Sequence, residues 1–425
     1  MIIFKIIVYS YLIAPFISLL TILFDKIIIK KQKKYKTNKY ADIYVLLPAF
    51  KEQKIVKDTI DWFNSIKYKG KIKYIIITTE KEELENKTKI IKEKTTNEVV
   101  KKYLKQVKDY RFVHMHYPKT NGNKSSQMNY AINIINEGIK NKENTYISVY
   151  DFDSRPDKET FNELNKIIQL KNNPDEIQQI PLEIRNYKEI SGRSIMMTIH
   201  SLQHMIRSLV IEKFKFQLYT LFKINIPKYF MGACMHLKLS TLLENKLFPI
   251  FVDDLTLGYR YSIQNKKCEY LYSNNYALIP NDLKGYFGSS TLIFKGLLTF
   301  VNEIRIAKGH IVGKIGMAVF GLLNLLEFCI IPYMFLIYYI YSLITLNFNI
   351  FTIITIIIPI LWSLSSYIVV KSNNIKYDNK FKSLLSILIS PTWFIFRPMG
   401  FLRYTFKKID SIMNNKEITY SKTER

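Results

Sequence analysis

The chain has 425 residues, with 62 Lys and Arg against 35 Asp and Glu and a formal charge of +27. Yet 48% of it is hydrophobic and 14% aromatic, which excludes a disordered polycation. Three Cys without shared metal-ligand spacing exclude a small disulfide scaffold and a zinc module. The charge suits nucleic acid, an anionic membrane or a phosphorylated substrate. Only 10 of the cations are Arg, however, and the wealth of Lys, Ile, Asn and Tyr has the mark of A+T-rich coding. The placement of the charge therefore carries more information than its sum.

Residues 2–24 form an apolar stretch interrupted only by Lys5, long enough at about 1.5 Å per residue to cross a bilayer. Lys26, Lys30, Lys31, Lys33, Lys34, Lys36 and Lys39 follow it. A span followed by such a cluster puts the cluster in the cytoplasm. The run is too long, and its cleavage site too poor, for a removed signal peptide. The reading is a transmembrane anchor over 1–25 and a basic linker over 26–40.

Residues 41–287 then form one cytoplasmic segment. Asp42–Phe50 reads as a buried strand, and helical periodicity follows through Ile55, Ile60 and Phe63. Further strands are expected at 73–78, 111–115 and 145–150, with a Lys- and Glu-rich helical stretch over 81–109 and a helix over 124–139. Strands alternating with helices predict an α/β fold with a mainly parallel sheet, whose ligands sit at the carboxyl ends of the strands. The polar segment 171–190 reads as a surface excursion. Segment 192–230 is helical and either core or a pair of helices under the membrane.

Residues 288–310 mix Phe294, Leu297 and Phe300 with Lys295, Arg305 and Lys308, the pattern of an amphipathic interfacial helix. Residues 315–370 hold two spans joined by a hairpin at 346–349, with Glu327 expected to be a packed, partnered acid. Residues 371–425 carry Lys371–Lys382 and Arg397–Lys408 around a short apolar run broken by Pro391, read as a re-entrant or interfacial helix and a cytoplasmic tail. The whole is a multi-pass protein of the cell membrane with its catalytic domain in the cytoplasm.

Chemistry-bearing residues cluster at the expected strand ends. Asp151-Phe152-Asp153 follows the fourth strand, and two carboxylates one residue apart can share Mg²⁺ or Mn²⁺, which would neutralise a diphosphate. Asp253-Asp254 opens a helix about a hundred residues later; such a pair either caps the helix or supplies a general base. Small residues at Gly232-Ala233-Cys234 stand between the two acidic sites. His200 and His204 could share a helix face, most simply an aromatic-rich packed one. His114 and His116 are expected on opposite faces of a strand, and His236 either lines an acceptor site or packs.

In order, these segments resemble membrane-bound family 2 glycosyltransferases with the GT-A fold. Val45-Leu46-Leu47-Pro48-Ala49-Phe50-Lys51-Glu52 looks like their opening strand and donor loop. Asn121-Gly122-Asn123-Lys124 through Asn129 resembles their G-x-K-x-x-x-x-N segment. Asp151-Phe152-Asp153 matches their D-x-D, and Asp253-Asp254-Leu255-x-Leu257-Gly258-x-Arg260 their E-D-x-x-L-x-x-R. The tail from Ile418 to Arg425 resembles a W-x-x-T-x-R ending.

The resemblance implies that Glu52 lies near the nucleotide and Lys124 near its diphosphate. Asp153 and Asp151 would hold a divalent cation, Asp151 also touching the donor, and Asp254 would be the base with Asp253 beside it. Thr78-Thr79-Glu80 replaces the usual acidic turn, leaving Glu80 as the substitute contact to the nucleobase. Ser289–Phe294 replaces the polymer-holding Q-x-x-R-W of processive synthases. The expected activity is therefore single transfer from a nucleotide sugar, UDP-linked first and GDP-linked otherwise, to a membrane lipid or lipid-linked glycan. A divergent processive synthase and a catalytically inactive membrane scaffold are the alternatives; nucleic acid has no motif behind it.

Overall fold

The computed structural model describes residues 11–89, 93–184, 194–250, 252–278, 282–372, 379–396 and 399–413. The chain opens on α1 (Ala14–Lys34), a 21-residue helix running without a break through the basic cluster expected to be a linker. Lysines are good helix formers, and those near its end also complement the helix dipole. Residues 1–10, part of the expected anchor, lie outside the described residues, as does the tail from residue 414.

The four expected strands are β1 (Asp42–Pro48), β2 (Ile72–Thr79), β3 (Phe112–Tyr117) and β4 (Thr145–Tyr150). The helices between them are α2 (Val56–Asn64), α3 (Glu80–Thr88), α4 (Thr96–Val107) and α5 (Lys124–Glu137). These strands pair in parallel in the order β3-β2-β1-β4. β1, β2 and β4 are buried on both faces, whereas the edge strand β3 is half-buried and carries His114 and His116. Ile43, Val45 and Leu47 turn to a core with Val56, Ile60 and Phe63 of α2. Tyr44 and Leu46 turn to the opposite core.

Beyond β4 the sheet departs from expectation. It continues through β5 (Arg155–Pro156), α6 (Thr160–Leu170), β6 (Glu176–Ile184), β7 (Cys234–Lys238) and β8 (Cys268–Leu278). The complete order is β3-β2-β1-β4-β7-β6-β8-β5, with β7 antiparallel to both β4 and β6. The sheet is mixed rather than mainly parallel. Of the expected surface excursion over 171–190, residues 185–190 lie outside the described residues, and the rest is no excursion: β6 is a central strand, with Glu176, Gln178 and Gln179 fully buried. Its polarity hid it, because Gln178 and Gln179 spend their amides on backbone carbonyls, among them Cys234 O at 3.0 Å and Asn274 O at 2.9 Å.

The helices of segment 192–230 are largely buried, and residues 192–193 lie outside the described residues. The segment contains α7 (Ile195–Met205), a π-helical turn over Ile206–Glu212 and α8 (Lys213–Phe222). Between β7 and β8 lie α9 (Leu239–Glu244) and α10 (Asp253–Ile263), and after the sheet come α11 (Leu283–Leu298) and α12 (Phe300–Ile306). The expected interfacial helix thus starts five residues early and breaks at Thr299. Then α13 (Ile311–Leu325), a second π-helical turn (Leu326–Ile330) and α14 (Ile331–Ile344) run on as one apolar rod, followed by α15 (Ile350–Ser372). Among the described residues, Ile311–Ile344 and Ile350–Ser372 are the two helices long and apolar enough to cross a membrane. The chain ends in α16 (Lys380–Leu388), α17 (Trp393–Phe396) and α18 (Met399–Met413).

One core joins the sheet to these apolar helices: Leu46 and Ile77 belong to the same packed cluster as Phe335, Ile358 and Trp362. Buried ion pairs cross the same boundary. Lys213 of α8 donates to Asp25 of α1 at 2.5 Å, and Gln217 donates to the other oxygen of Asp25 at 2.8 Å. Glu327 is partnered as expected, accepting from Arg207 at 2.9 Å across the two π-helical turns.

Removing one member of a buried pair leaves the other charge uncompensated. Lys213→Met is expected to destabilise the protein by about 3–5 kcal/mol, and adding Asp25→Leu should recover most of that loss. Thermal unfolding in detergent of both variants measures the difference.

Candidate active site

Because β1 to β4 run in parallel, their carboxyl ends share one edge of the sheet. Antiparallel β7 brings its amino end there too, with Cys234 opposite Tyr150. Asp151 therefore leaves β4 beside Gly232. The β4–β5 turn is pinned: Arg155 donates to the carbonyls of Phe152 and Ser154 at 3.2 and 2.9 Å, and Asp153 behind it is only 4% exposed.

Lys124, the first residue of α5, reaches this edge because Asn123 caps the helix by accepting from the Ser126 amide at 3.0 Å. Asn123 and Asn129 donate to the carbonyls of Ile250 and Phe248, tying α5 to the segment before α10. The Lys124 ammonium donates to Asp151 Oδ1 at 2.7 Å and to the Gly232 carbonyl at 3.1 Å. Gly232 turns its amide the other way, donating to Asp254 Oδ2 at 2.9 Å. Leu255 N donates to Asp254 Oδ1 at 2.8 Å. One ammonium and one glycine thus join the acid after β4 to the acid pair opening α10.

Two features aim that pair. Val252, before it, has φ +46°, a conformation a β-branched residue adopts only under constraint. The constraint is packing: Gly296 of α11 lies against Val252 and Leu255 so closely that a Cβ there would stand 2.5 Å from Val252 Cγ1. Downstream, Arg260 forms a forked pair with Glu303 of α12, at 2.8 and 3.0 Å. The Arg of the resemblance motif is thus a brace for α10.

The electrostatics follow from this crowding. Burial raises both Asp253 and Asp254 above the usual carboxylate range, while Lys124 pulls each back; Asp253 rests at about 6. Burial works against the Lys124 charge, but Asp151, Asp253 and Asp254 outweigh it and push its pKa upward. Asp253 Oδ2 is buried without a hydrogen-bond partner.

Glu52 and Glu80 stand at the β1–β2 side of the same edge. The loop carrying Glu52 is held by Glu82, a buried acid that the sequence reading passed over. Glu82 accepts from the Lys51 amide at 2.8 Å and from the Thr96 amide and hydroxyl at 2.8 and 2.9 Å. Lys51, at φ +58°, makes the turn. Glu80 is hydrogen-bonded to His116 Nε2 at 3.0 Å; the Thr78 hydroxyl in turn meets His116 Nδ1 at 2.9 Å and His114 Nε2 at 2.8 Å. The expectation that these two His lie on opposite faces is wrong. Residues two apart on a strand share a face, and both rings converge on Thr78.

The remaining candidates are structural. His236 is fully buried against Ser148 Oγ at 2.8 Å, and burial alone lowers its pKa to about 3. His200 stacks on Trp393 with centroids 5.3 Å apart, the aromatic face expected. Cys234, Cys268 and Cys329 are buried. Among the described residues no three His, Cys, Asp or Glu side chains form a ready metal cluster.

Comparison with known proteins finds no matching family model and no matching curated sequence. Among solved structures, the chain is similar to mannosyltransferase PcManGT from Pyrobaculum calidifontis, solved in complex with GDP-Man and Mn²⁺. The identity is 12% and the TM-score 0.50, over 95% of this chain and 99% of that one. It also matches residues 1–349 of S. aureus TarS at 10% identity and a TM-score of 0.42, covering 90% and 98%. The PcManGT likeness shows that the two chains share a fold over nearly their whole length.

If Lys124 is what holds the acid pair ionised, Lys124→Met should move the carboxyl titration of Asp253, expected near pH 6, to higher pH. The infrared band of protonated carboxyl groups, followed against pH and assigned with Asp253→Asn, reads that midpoint. An unmoved midpoint would refute the assignment.

Proposed function

We propose that this chain is an inverting, metal-dependent glycosyltransferase of the membrane-bound family 2 type. It would move a sugar from a nucleotide-sugar donor, UDP-linked first and GDP-linked otherwise, to a hydroxyl on a membrane lipid or lipid-linked glycan. The observation that carries the reading is the bridge made by Lys124 and Gly232 between Asp151 and Asp254. It joins a diphosphate-binding end to a base at the sheet edge where ligands of α/β folds sit.

The residues fit a divalent cation such as Mg²⁺ or Mn²⁺. Three carboxylates act on one ammonium, and the unpartnered Asp253 Oδ2 is a hard oxygen donor in that excess of negative charge. Asp153 and Asp151 would hold the ion, whose contribution is to neutralise the departing diphosphate. Lys124 would add a second positive charge at the same phosphates, while Glu52 and Glu80 border the nucleoside.

Asp254 then takes the proton from the acceptor hydroxyl. Its two backbone hydrogen bonds fix the carboxylate's orientation and leave further lone pairs for that proton. Attack from the side opposite the leaving nucleotide inverts the anomeric centre. Asp253 is the competing base, favoured by its unpartnered oxygen and its rest point near 6. The absence of Q-x-x-R-W favours single transfer. The core shared by the sheet and the two apolar helices supports a catalytic domain seated on a membrane, and the basic runs flanking apolar segments support a cytoplasmic location.

Purified protein with Mn²⁺ and a panel of UDP- and GDP-sugars should bind and turn over one donor. Asp254→Asn should lower kcat by about 10²–10⁴ with nucleotide affinity retained; a larger loss in Asp253→Asn would transfer the role of base. Gly232→Ala should mimic Asp254→Asn, since its methyl would stand 2.9 Å from Asp254 Oδ2. Absence of both binding and turnover across the panel would end the enzyme reading.

A further inference from the structure

A cavity of about 60 Å³ lies among the helices that follow β6, and none of the acid pair lines it. One water needs about 10–15 Å³ of such space, so there is room for a group the size of a phosphate. Four parts of the chain wall it. α7 and its π-helical turn supply His200, His204 and Arg207, and α11 supplies Tyr286 through Phe294. The π-helical turn of the apolar rod supplies Phe328, and the C-terminal segment supplies Trp393 and Phe401.

The polar character of the lining is one-sided. Its ionisable side chains are the two imidazoles, the Tyr286 phenol and a guanidinium, and among the described residues no carboxylate lines it, although Glu327 pairs with Arg207. Arg207 is held rigidly: its Nη1 donates to Glu327 at 2.9 Å, its Nε to Tyr229 Oη at 3.0 Å, and its Nη2 to Asn324. The rest is aromatic, with Tyr286 and Trp393 rings 4.8 Å apart and both against His200. A guanidinium fixed in an aromatic wall beside an apolar rod suits an amphiphile with an anionic head.

Its position relates it to the acid pair. α11 runs from Ser290 at the cavity to Gly296, which packs on Val252 and Leu255 around Asp253 and Asp254. Ser290 and Gly296 are about 9 Å apart along the helix axis at 1.5 Å per residue, so one helix borders both the cavity and the acid pair.

We infer that this cavity holds the phosphate ester of the acceptor lipid, so that the sugar it bears presents its hydroxyl to Asp254. The inference rests on the glycosyltransferase reading and adds the site and head-group chemistry of the acceptor. Arg207 and His204 bind the phosphate, and Tyr286, Trp393 and Phe328 flank the first carbons of the chain.

The test is isothermal titration of the full chain in phosphatidylcholine nanodiscs with farnesyl phosphate, farnesol and inorganic phosphate. Farnesyl phosphate should bind at least tenfold more tightly than either of the others. The pair Arg207→Gln with Glu327→Gln, which removes both charges without stranding one, should weaken it at least tenfold, as should His204→Gln. Farnesol binding equally well, no binding at all, or unaffected variants would overturn the assignment. So would displacement of farnesyl phosphate by phosphatidic acid, which would make the occupant a bilayer phospholipid. Wild-type turnover of a nucleotide sugar is measured in the same preparation. Turnover without farnesyl phosphate binding removes only the cavity assignment; farnesyl phosphate binding with neither binding nor turnover of any nucleotide sugar removes the glycosyltransferase reading.

Discussion

The structure turns on one ammonium among three carboxylates. Asp151, Asp253 and Asp254 come from elements a hundred residues apart, and like charges brought together would repel one another or protonate. Lys124 makes their assembly tolerable, with Gly232 passing the link through its carbonyl and amide. The position of α5, the capping of its first turn by Asn123 and the missing Cβ at Gly232 all serve that contact. A site built this way is poised rather than relaxed: its acids stay partly uncompensated, which is the condition for binding a cation and for accepting a proton.

Around this centre, charge is used as a fastener where hydrophobic packing alone would not fix orientation. Arg260 and Glu303 hold the helix of the acid pair against its neighbour. Lys213 and Asp25 hold the first helix to the core, and Arg207 and Glu327 lock the two π-helical turns together. Apolar faces slide, whereas a forked or buried ion pair has one good geometry. The strained Val252 shows the cost of such precision, held by close approach of Gly296.

Much of the first half was legible because its signals are local. β1 and β2 are largely apolar runs, α5 has its cap, and Glu52 and Asp151 follow strand ends by position, while Glu80 and Lys124 were candidates only through the resemblance. β6 was not legible, since Gln178 and Gln179 look like surface residues until the carbonyls they satisfy are known. Glu82 was hidden in the same way inside a polar helix. The error over His114 and His116 was of another kind, for strand periodicity already puts them on one face.

Local chemistry, then, was enough to determine the alternating elements, the ordered acidic and basic motifs, and which helices are apolar enough to meet a membrane. It could not determine the antiparallel insertion of β7, which places Gly232 beside Asp151. Nor could it reveal that Arg260 braces a helix, or that His200, Arg207 and Trp393 enclose one cavity. Those facts depend on contacts between residues far apart in the chain, where burial and the supply of hydrogen-bond partners, rather than residue type, decide what a side chain does.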